Sequence, residues 1–396
     1  MAFAVFSLSL GVLLAGRVYS GGGDTLAAEL LPSALMRNGS PDYRGLVVPD
    51  HQDHYGFLLV NERVVSIFPL MAGLLHVPVV AAATLFGYDA VAHRIGLARR
   101  SAAWIAAAAT AFFFLALDAC VKRRTALLFS AVFLFGTEVF SVAGRGLWQH
   151  GPALLFINLA LAFLVRPRLV PWSGLALALA VCARPTVLLL AIAITCWVAW
   201  RRRDVLPAFL AGASVPAIAL TAYTFAWVAD VPAIAQSSFG RFSIEALLGL
   251  AVSPSRGLLV YSPVFLLAVV PVRKTGGDVP PDGLVGALTL FVPALLFLVA
   301  FWRNWWGGHS FGYRIVSELI PVLLLRAALA WDRPALPANA VRSAGAVLIG
   351  ISITVHALGA FGTRHFNVLP DDIDTNPARL WDVRRSDLVR ILRGDG

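Results

Sequence analysis

The sequence predicts an all-α integral membrane protein with about eleven transmembrane helices and a long first outer loop. Three observations support this fold class. Of the 396 residues, 59% are hydrophobic and only 14% are charged, whereas soluble domains carry about 25% charged residues. Apolar runs follow one another along most of the chain. Lysines and arginines cluster in the short segments between these runs, as they do in the cytoplasmic loops of membrane proteins.

The apolar runs do not all suit a membrane crossing. They cover residues 2–19, 66–87, 101–120, 125–144, 151–165, 170–183, 185–200, 205–228, 258–272, 284–302, 314–331 and 341–361. The run at 66–87 contains Pro69, His76 and Pro78, which disfavour an unbroken spanning helix. We therefore expect this run to form juxtamembrane helices on the outer surface rather than to cross.

This choice is tested by the rule that basic loops face the cytoplasm. If 66–87 does not cross, the main basic clusters fall on the cytoplasmic side, whereas Arg94, Arg99 and Arg100 lie outside. These clusters are at residues 122–124, 166–168, 201–203, 273–274, 333 and 342. The same rule splits residues 170–200 into two short spans that turn near Ala183-Arg184-Pro185.

The resulting topology places the N-terminus inside. Residues 1–361 form one membrane domain, its first outer loop covers 20–100, and the polar tail at 362–396 is predicted to be external. The other outer segments are 145–150, 183–186, 229–257 and 303–313.

Several function classes are disfavoured by what the sequence lacks. The net charge of +10 does not indicate nucleic-acid binding, because the basic residues lie between apolar runs and not on a soluble face. The cysteines show no spacing typical of a disulfide framework or a zinc site. No P-loop or dinucleotide-binding motif is present, which argues against an ATP-driven transporter and against a cytoplasmic nucleotide-sugar enzyme.

No cofactor is predicted and no metal ligand is assigned, although binding of a divalent metal remains an alternative. The Asp50-His51-Gln52-Asp53-His54 stretch offers suitable ligand atoms, but a solvated loop is the favoured interpretation.

The predicted outer segments carry an acid and several arginines. Asp24 follows three glycines in the stretch SGGGDT, directly after the first apolar run. Arginine binds phosphate through several N–H donors in a fixed planar geometry. An arginine at the membrane boundary is energetically costly unless it is paired, so it indicates a functional site. We therefore predict a site for a phosphate-bearing lipid, with one acid as proton acceptor. The candidate residues are Asp24, Arg145, His150, Arg184, Arg256, Trp305, Trp306, His309 and Arg314.

These segments resemble a known enzyme class. The stretches GGGDTLAAELLPSALMRNGSPDY, GRGLWQHGPALLFINLALAFL, SPSRGLLVYSPVFLLA and WWGGHSFGYRIVSELIPVLLL are similar to bacterial membrane glycosyltransferases of the GT-C class. That class includes protein O-mannosyltransferases and the aminoarabinose transferases of lipid A. The resemblance covers about residues 1–330.

The resemblance implies a polyprenyl-phosphate-sugar donor and a glycan, lipid or protein acceptor. Transfer would take place on the outer face of the bacterial inner membrane. It also implies a catalytic acid early in the first outer loop, which Asp24 matches. His150 stands where many relatives have a second acid, so we expect it to contact phosphate or relay a proton.

Alternatives remain for the individual residues. If Asp24 is not catalytic, it is a solvated loop acid or a charge in the first turn of the helix that follows. Glu29 is a weaker candidate for the catalytic acid. Arg184 and Arg256 are otherwise packing or topology residues, and the tryptophans are otherwise interfacial anchors. Glu138, inside a predicted span, is expected to pair with an arginine or to face a cavity.

Two other functions also stay open. A lipid or solute transporter or flippase would carry out no chemistry, and it predicts paired, symmetric halves that the sequence does not display. A catalytically degenerate relative, acting as an assembly partner, would explain a histidine at position 150 in place of an acid.

Overall fold

The computed structural model describes residues 1–16, 23–47, 55–228, 238–273, 280–362 and 372–394, and these are mostly helical. The helices, in chain order, are α1 Ala2–Ala15, α2 Gly23–Asn38, α3 Met71–Leu85, α4 Arg94–Asp118, α5 Arg123–Phe135, α6 His150–Leu164, α7 Val170–Ala183, α8 Leu188–Arg201, α9 Leu206–Tyr223, α10 Ile244–Val252, α11 Leu258–Tyr261, α12 Leu284–Val299, α13 Leu319–Asp332, α14 Ala338–Gly362 and α15 Asp387–Arg393. One antiparallel hairpin pairs β1 Phe57–Val60 with β2 Arg63–Ser66.

Three helical segments of the described chain are long and apolar enough to cross a membrane. They are Arg94–Asp118, Arg203–Val228 and Ala338–Gly362. Six shorter apolar segments accompany them, at Ala2–Ala15, Met71–Leu85, His150–Leu164, Pro167–Ala183, Pro185–Arg201 and Leu284–Val299. The helical fold class is therefore confirmed, but a count of about eleven spans is not.

Some predicted spans are broken where the sequence carries a proline or glycine. The run at 258–272 divides into α11 and a 3₁₀ segment at Pro263–Val269, because Pro263 cannot continue the hydrogen-bond ladder. The hydroxyl of Ser352 takes up the freed Val264 N–H at 3.1 Å. The run at 125–144 ends its α-helix before Gly136, and a π-helical turn follows.

The first loop folds as two helices with a hairpin between them. Helices α2 and α3 pack closely at Gly73, where an added Cβ would lie 2.7 Å from the Cβ of Leu31. Helix α3 covers 15 residues of the 66–87 run and continues through Pro78, and its predicted juxtamembrane placement stays a prediction. The hairpin was not predicted; its turn residues Asn61 and Glu62 both have positive φ, as a type I′ turn requires.

The basic loops collect at one end of the helical core. Arginine side chains there donate to backbone carbonyls of neighbouring helix ends and loops: Arg166 to Leu115 at 2.7 Å, Arg202 to Pro167 at 3.3 Å and Arg333 to Cys120 at 3.0 Å. The contact between Arg202 and Pro167 brings the end of α8 to the start of α7. The chain therefore reverses direction between these helices, at the Ala183-Arg184-Pro185 turn that the charge pattern predicts.

The described part of the tail packs against the predicted outer segments. The hydroxyl of Ser253 donates to the Leu380 carbonyl at 2.6 Å, and the Ser255 hydroxyl donates to the Arg379 carbonyl at 3.2 Å. Residues 372–394 are thus part of the folded unit, not a free polar extension.

Candidate functional site

Asp24 lies in the first turn of α2, where the helix dipole favours a negative charge. Its Oδ2 is 2.6 Å from Nη2 of Arg314, and the Asp24 side chain keeps 21% of its surface exposed. The pair joins the first loop to the segment that follows the 303–313 loop. The structure thus brings together two predicted site residues that are far apart in sequence.

Arg314 is fixed by two further contacts. Its guanidinium carbon lies 4.4 Å from the ring centroid of Trp148, a cation–π distance. Its Nε donates to the Gly307 carbonyl at 2.8 Å. Within the part of the chain that the structure describes, the buried Nη1 has no hydrogen-bond partner. One donor of a well-oriented guanidinium is therefore unused.

Arg184 is fully engaged by protein groups. Its Nε lies 2.9 Å from Oε1 of Glu318 and its Nη1 donates to Oε2 at 3.2 Å. Its Nη2 donates to the Ile315 carbonyl at 2.9 Å, and the Thr186 hydroxyl donates to Oε1 of Glu318 at 2.5 Å. Arg184 therefore ties the α7–α8 turn to the start of α13.

His150 lies in the same buried network. Arg184 Nη1 contacts its Nδ1, and the Ser317 hydroxyl lies 2.9 Å from the same atom. Because a guanidinium N–H can only donate, Nδ1 acts as an acceptor and the imidazole is neutral in this arrangement. His150 thus contacts predicted site residues, but through the nitrogen that a proton relay would need free.

Glu138 is fully buried beside this network. Neither of its carboxylate oxygens has a hydrogen-bond partner among the described residues, whereas Arg184 and Arg314 lie within electrostatic reach. Glu138 was expected to pair with an arginine or to face a cavity, and Arg184 is an arginine within its electrostatic reach.

Arg145 is held at the end of α1. Its Nε donates to the Phe140 carbonyl at 3.2 Å, and its guanidinium lies over the rings of Phe140 and Phe361. It also lies against Gly16, whose carbonyl accepts a hydrogen bond from Arg99. Two arginines thus stand at the C-terminal end of a helix, where positive charge is favoured.

Arg256 belongs to a buried group of charges that we call the tail clamp, formed by Arg256, Arg379 and Asp387. Arg256 Nη1 lies 2.5 Å from Oδ2 of Asp387, and Arg379 Nη2 lies 2.7 Å from Oδ1. Arg256 Nη2 also donates to the Gly308 carbonyl at 3.1 Å. The predicted phosphate ligand Arg256 is therefore already paired with an acid of the tail, which it shares with Arg379.

His309 and the two tryptophans lie at the contact between the 303–313 loop and the tail. Nε2 of His309 is 2.9 Å from Oδ1 of Asp372 and 3.3 Å from Oδ2 of Asp374. Burial alone would raise the pKa of the Asp372 carboxyl, but the Asp374 backbone N–H and His309 hold it below its usual value. The indole N–H of Trp306 donates to Asp374 Oδ1 at 2.6 Å.

Trp305 is a packing residue. Its ring fills the space above Gly249 so tightly that a Cβ there would lie 2.0 Å from it. Both tryptophans are mostly buried, yet they also line a cleft of about 350 Å³. The other charged and aromatic residues of that cleft are Arg241, Glu245, Trp302 and Arg303.

Two other acids of the first loop, Glu29 and Asp42, have structural partners. Glu29 is buried, accepts a hydrogen bond from Thr25 at 2.7 Å and lies 3.3 Å from Arg94. Burial raises the pKa of its carboxyl, more than Thr25 and Arg94 lower it. Asp42 accepts the backbone N–H groups of Arg44 and Val64, so it anchors the loop to the hairpin. The Asp50–His54 stretch, with its possible metal ligands, lies outside the described residues.

Sequence reasoning did not single out three of the buried partners, Glu318, Arg379 and Asp387. Glu318 lies inside a run predicted to span the membrane, where an acid is costly unless it has a partner. That argument, which was applied to Glu138, would also have identified Glu318. Asp387 lies in a polar tail with many charges, and no comparable signal marks it.

Comparisons with known protein families, characterised proteins and solved structures gave no match. The resemblance to the GT-C class therefore stays a prediction from short sequence motifs.

Proposed function

We propose that this chain is a membrane glycosyltransferase that moves a sugar from a polyprenyl phosphate to an envelope acceptor, with Asp24 as general base. The observation that carries the proposal is the contact between Asp24 and Arg314. It places a partly exposed carboxylate against a guanidinium that still has an unused donor. An acid and a phosphate-binding group side by side are what this transfer reaction needs.

The unused donor of Arg314 supports its role at the donor phosphate. A phosphate oxygen would accept from Nη1 and compete with Asp24 for Nη2, since phosphate offers several strong acceptors. Trp148 keeps the guanidinium plane in place while the partner changes. Donor binding would thereby release the Asp24 carboxylate to accept a hydrogen bond from the acceptor hydroxyl.

The transfer is a single displacement. The acceptor oxygen forms a bond to the anomeric carbon as the bond from that carbon to the phosphate oxygen breaks. Asp24 takes the hydroxyl proton, and the polyprenyl phosphate leaves with the electron pair. Arg314 stabilises the charge that develops on the departing phosphate, and inversion at the anomeric carbon is expected.

The buried network has a supporting role in this proposal. Arg184 and Glu318 hold the turn that carries Arg314, through the carbonyls of Arg314 and Ile315. His150 adds a third contact to this turn through Ser317. The tail clamp holds Gly308, which precedes Arg314 in the same loop. These contacts fix the position of the phosphate-binding group, as precise catalysis requires.

The proposed location is the outer face of a bacterial inner membrane. The site lies on loops that the charge rule assigns outside, and the basic loops join at a separate end of the core. We include the shorter apolar helices among the proposed crossings, which requires the bilayer to thin locally around them.

The test uses the full-length protein purified into lipid nanodiscs. Radiolabelled polyprenyl-phosphate sugars are offered as a panel together with extracted envelope glycans, lipids and proteins as acceptors, and both binding and release of polyprenyl phosphate are followed. Asp24→Asn should lower release by about 10²- to 10⁴-fold, the usual contribution of a general base. The same variant should bind polyprenyl phosphate at least as tightly as the wild type, because Arg314 has lost its competing partner.

Two variants complete the design. Arg314→Ala should weaken donor binding, and Asp204→Asn, an exposed acid among the basic loops, serves as the matched control and should behave as the wild type. Absence of saturable binding to any polyprenyl phosphate would refute the donor assignment. Binding without release by the wild type would favour the transporter or assembly-partner alternatives.

A further inference from the structure

A second group of polar side chains lies next to Arg314. His309 comes from the 303–313 loop, and Asp372 and Asp374 come from the tail. One ligand atom of each residue lies within 4.8 Å of the others. Because two distant chain segments supply the three side chains, their grouping results from the tertiary fold and not from a local run of acids.

The distances suit a transition-metal cation. In a tetrahedral site with bonds of about 2.1 Å, neighbouring ligand atoms are about 3.4 Å apart. Nε2 of His309 lies 2.9 Å from Asp372 Oδ1 and 3.3 Å from Asp374 Oδ2. Small side-chain movements would therefore let all three atoms reach one ion, and a fourth position would be left for another ligand. One imidazole and two carboxylates form a donor set that Zn²⁺ and Mn²⁺ accept.

The two carboxylates are oriented by outer hydrogen bonds. The indole N–H of Trp306 donates to Oδ1 of Asp374, which leaves Oδ2 directed at His309. The backbone N–H of Asp374 donates to Oδ1 of Asp372 at 2.7 Å. Such outer partners fix ligand geometry in metal sites.

An independent observation indicates a ligand at the same place. Gly308 separates the cluster from Arg314: a Cβ there would lie 3.7 Å from Arg314 Nη2 and 3.9 Å from Asp374 Oδ2. The positive φ of Gly307 and Gly308 lets the loop pass this closely between the two groups. The other terminal nitrogen of this guanidinium, the buried Nη1, has no partner among the described residues, and a buried donor calls for an acceptor.

We propose that His309, Asp372 and Asp374 bind a divalent cation, which together with Arg314 holds a phosphate group. A phosphate oxygen would occupy the open position on the cation, and a second oxygen would accept from the guanidinium. The part of this proposal that concerns phosphate rests on the proposed function, whereas metal binding stands independently of it.

Metal binding is tested first, without any lipid. Full-length protein in detergent is stripped with a chelator and titrated with Mn²⁺, and free Mn²⁺ is measured by electron paramagnetic resonance. The wild type should bind one ion. Asp374→Asn and His309→Gln should each weaken binding by more than about tenfold.

The control is Asp382→Asn, another acid of the tail, which takes no part in the cluster. It should bind Mn²⁺ as the wild type does. Thermal unfolding of each metal-free variant checks that the fold is retained. No saturable binding by the wild type, or equal affinity in all four proteins, would overturn the metal site.

Phosphate is tested second, on the manganese-loaded protein. Bound Mn²⁺ should speed the ³¹P relaxation of inorganic phosphate, and Arg314→Ala should abolish most of this effect while it still binds Mn²⁺. An unchanged effect in Arg314→Ala would overturn the shared phosphate site. Because this experiment contains no sugar donor, its failure is distinct from a failure of the transfer reaction.

Discussion

Replacing Glu318 with glutamine should strongly destabilise the helical core. Glu318 is fully buried, and its two oxygens accept hydrogen bonds from Arg184 Nε and Nη1 and from the Thr186 hydroxyl. In the variant an amide replaces the carboxylate, so the buried guanidinium loses its counter-charge. Removing one partner of a buried ion pair costs about 3–5 kcal/mol. We expect a value near the lower end, because Glu138 lies within electrostatic reach of Arg184.

Two comparisons isolate the charge effect. Asp204→Asn removes an exposed partner of Arg202 and should cost at most about 1 kcal/mol. The double variant Arg184→Met with Glu318→Leu should recover part of the loss, because it removes both buried charges together. Recovery will be incomplete, since Arg184 also donates to backbone carbonyls of the 314–315 turn.

The assay is reversible unfolding in mixed detergent micelles, followed by tryptophan fluorescence and extrapolated to native conditions. If Glu318→Gln lowers the free energy of unfolding no more than Asp204→Asn does, the buried pair does not hold this turn. The supporting role given to Arg184 would then be wrong.

Three further predictions concern the tail and its contacts. Asp387→Asn removes the acid of the tail clamp, so trypsin should cleave the tail at least about tenfold faster, while core fragments are unchanged. Gly249→Ala places a methyl 2.0 Å from the Trp305 ring and should lower the free energy of unfolding by about 1–3 kcal/mol. Because the pKa of Asp372 is lowered, the stabilisation from its contact with His309 is present at neutral pH. It should be lost below about pH 4, which amide hydrogen exchange of the tail would report.

The charge pattern predicts that some of the candidate residues lie on one face. Asp24, Arg314 and Arg184 are predicted to share one face because basic clusters between apolar runs indicate which loops face the cytoplasm. The rule that basic loops face the cytoplasm uses only the order of loops along the chain, so it can be applied without knowing how the helices pack. The contacts of Arg314 with Asp24 and of Arg184 with His150 agree with it.

The partners of the arginines could not be predicted in the same way. A hydropathy pattern gives the order and the approximate ends of helices, but not which helices are neighbours. Glu318 and Asp387 are 134 and 131 residues away from Arg184 and Arg256, with which they pair. The breaks inside predicted spans have the same origin, because Pro263 is tolerated only where Ser352 satisfies the freed backbone.

The three ion pairs near the site differ in a way that supports Arg314 as the ligand-binding arginine. The acids that face Arg184 and Arg256 are at most 1% exposed, so an incoming phosphate would have to replace a fully desolvated partner. Breaking such a pair is costly, because it leaves a buried charge uncompensated. Asp24 keeps 21% exposure, and water can solvate its carboxylate as soon as a phosphate takes its place. Of these three pairs, that of Asp24 with Arg314 should therefore exchange its partner at the lowest cost, as the proposed donor site requires.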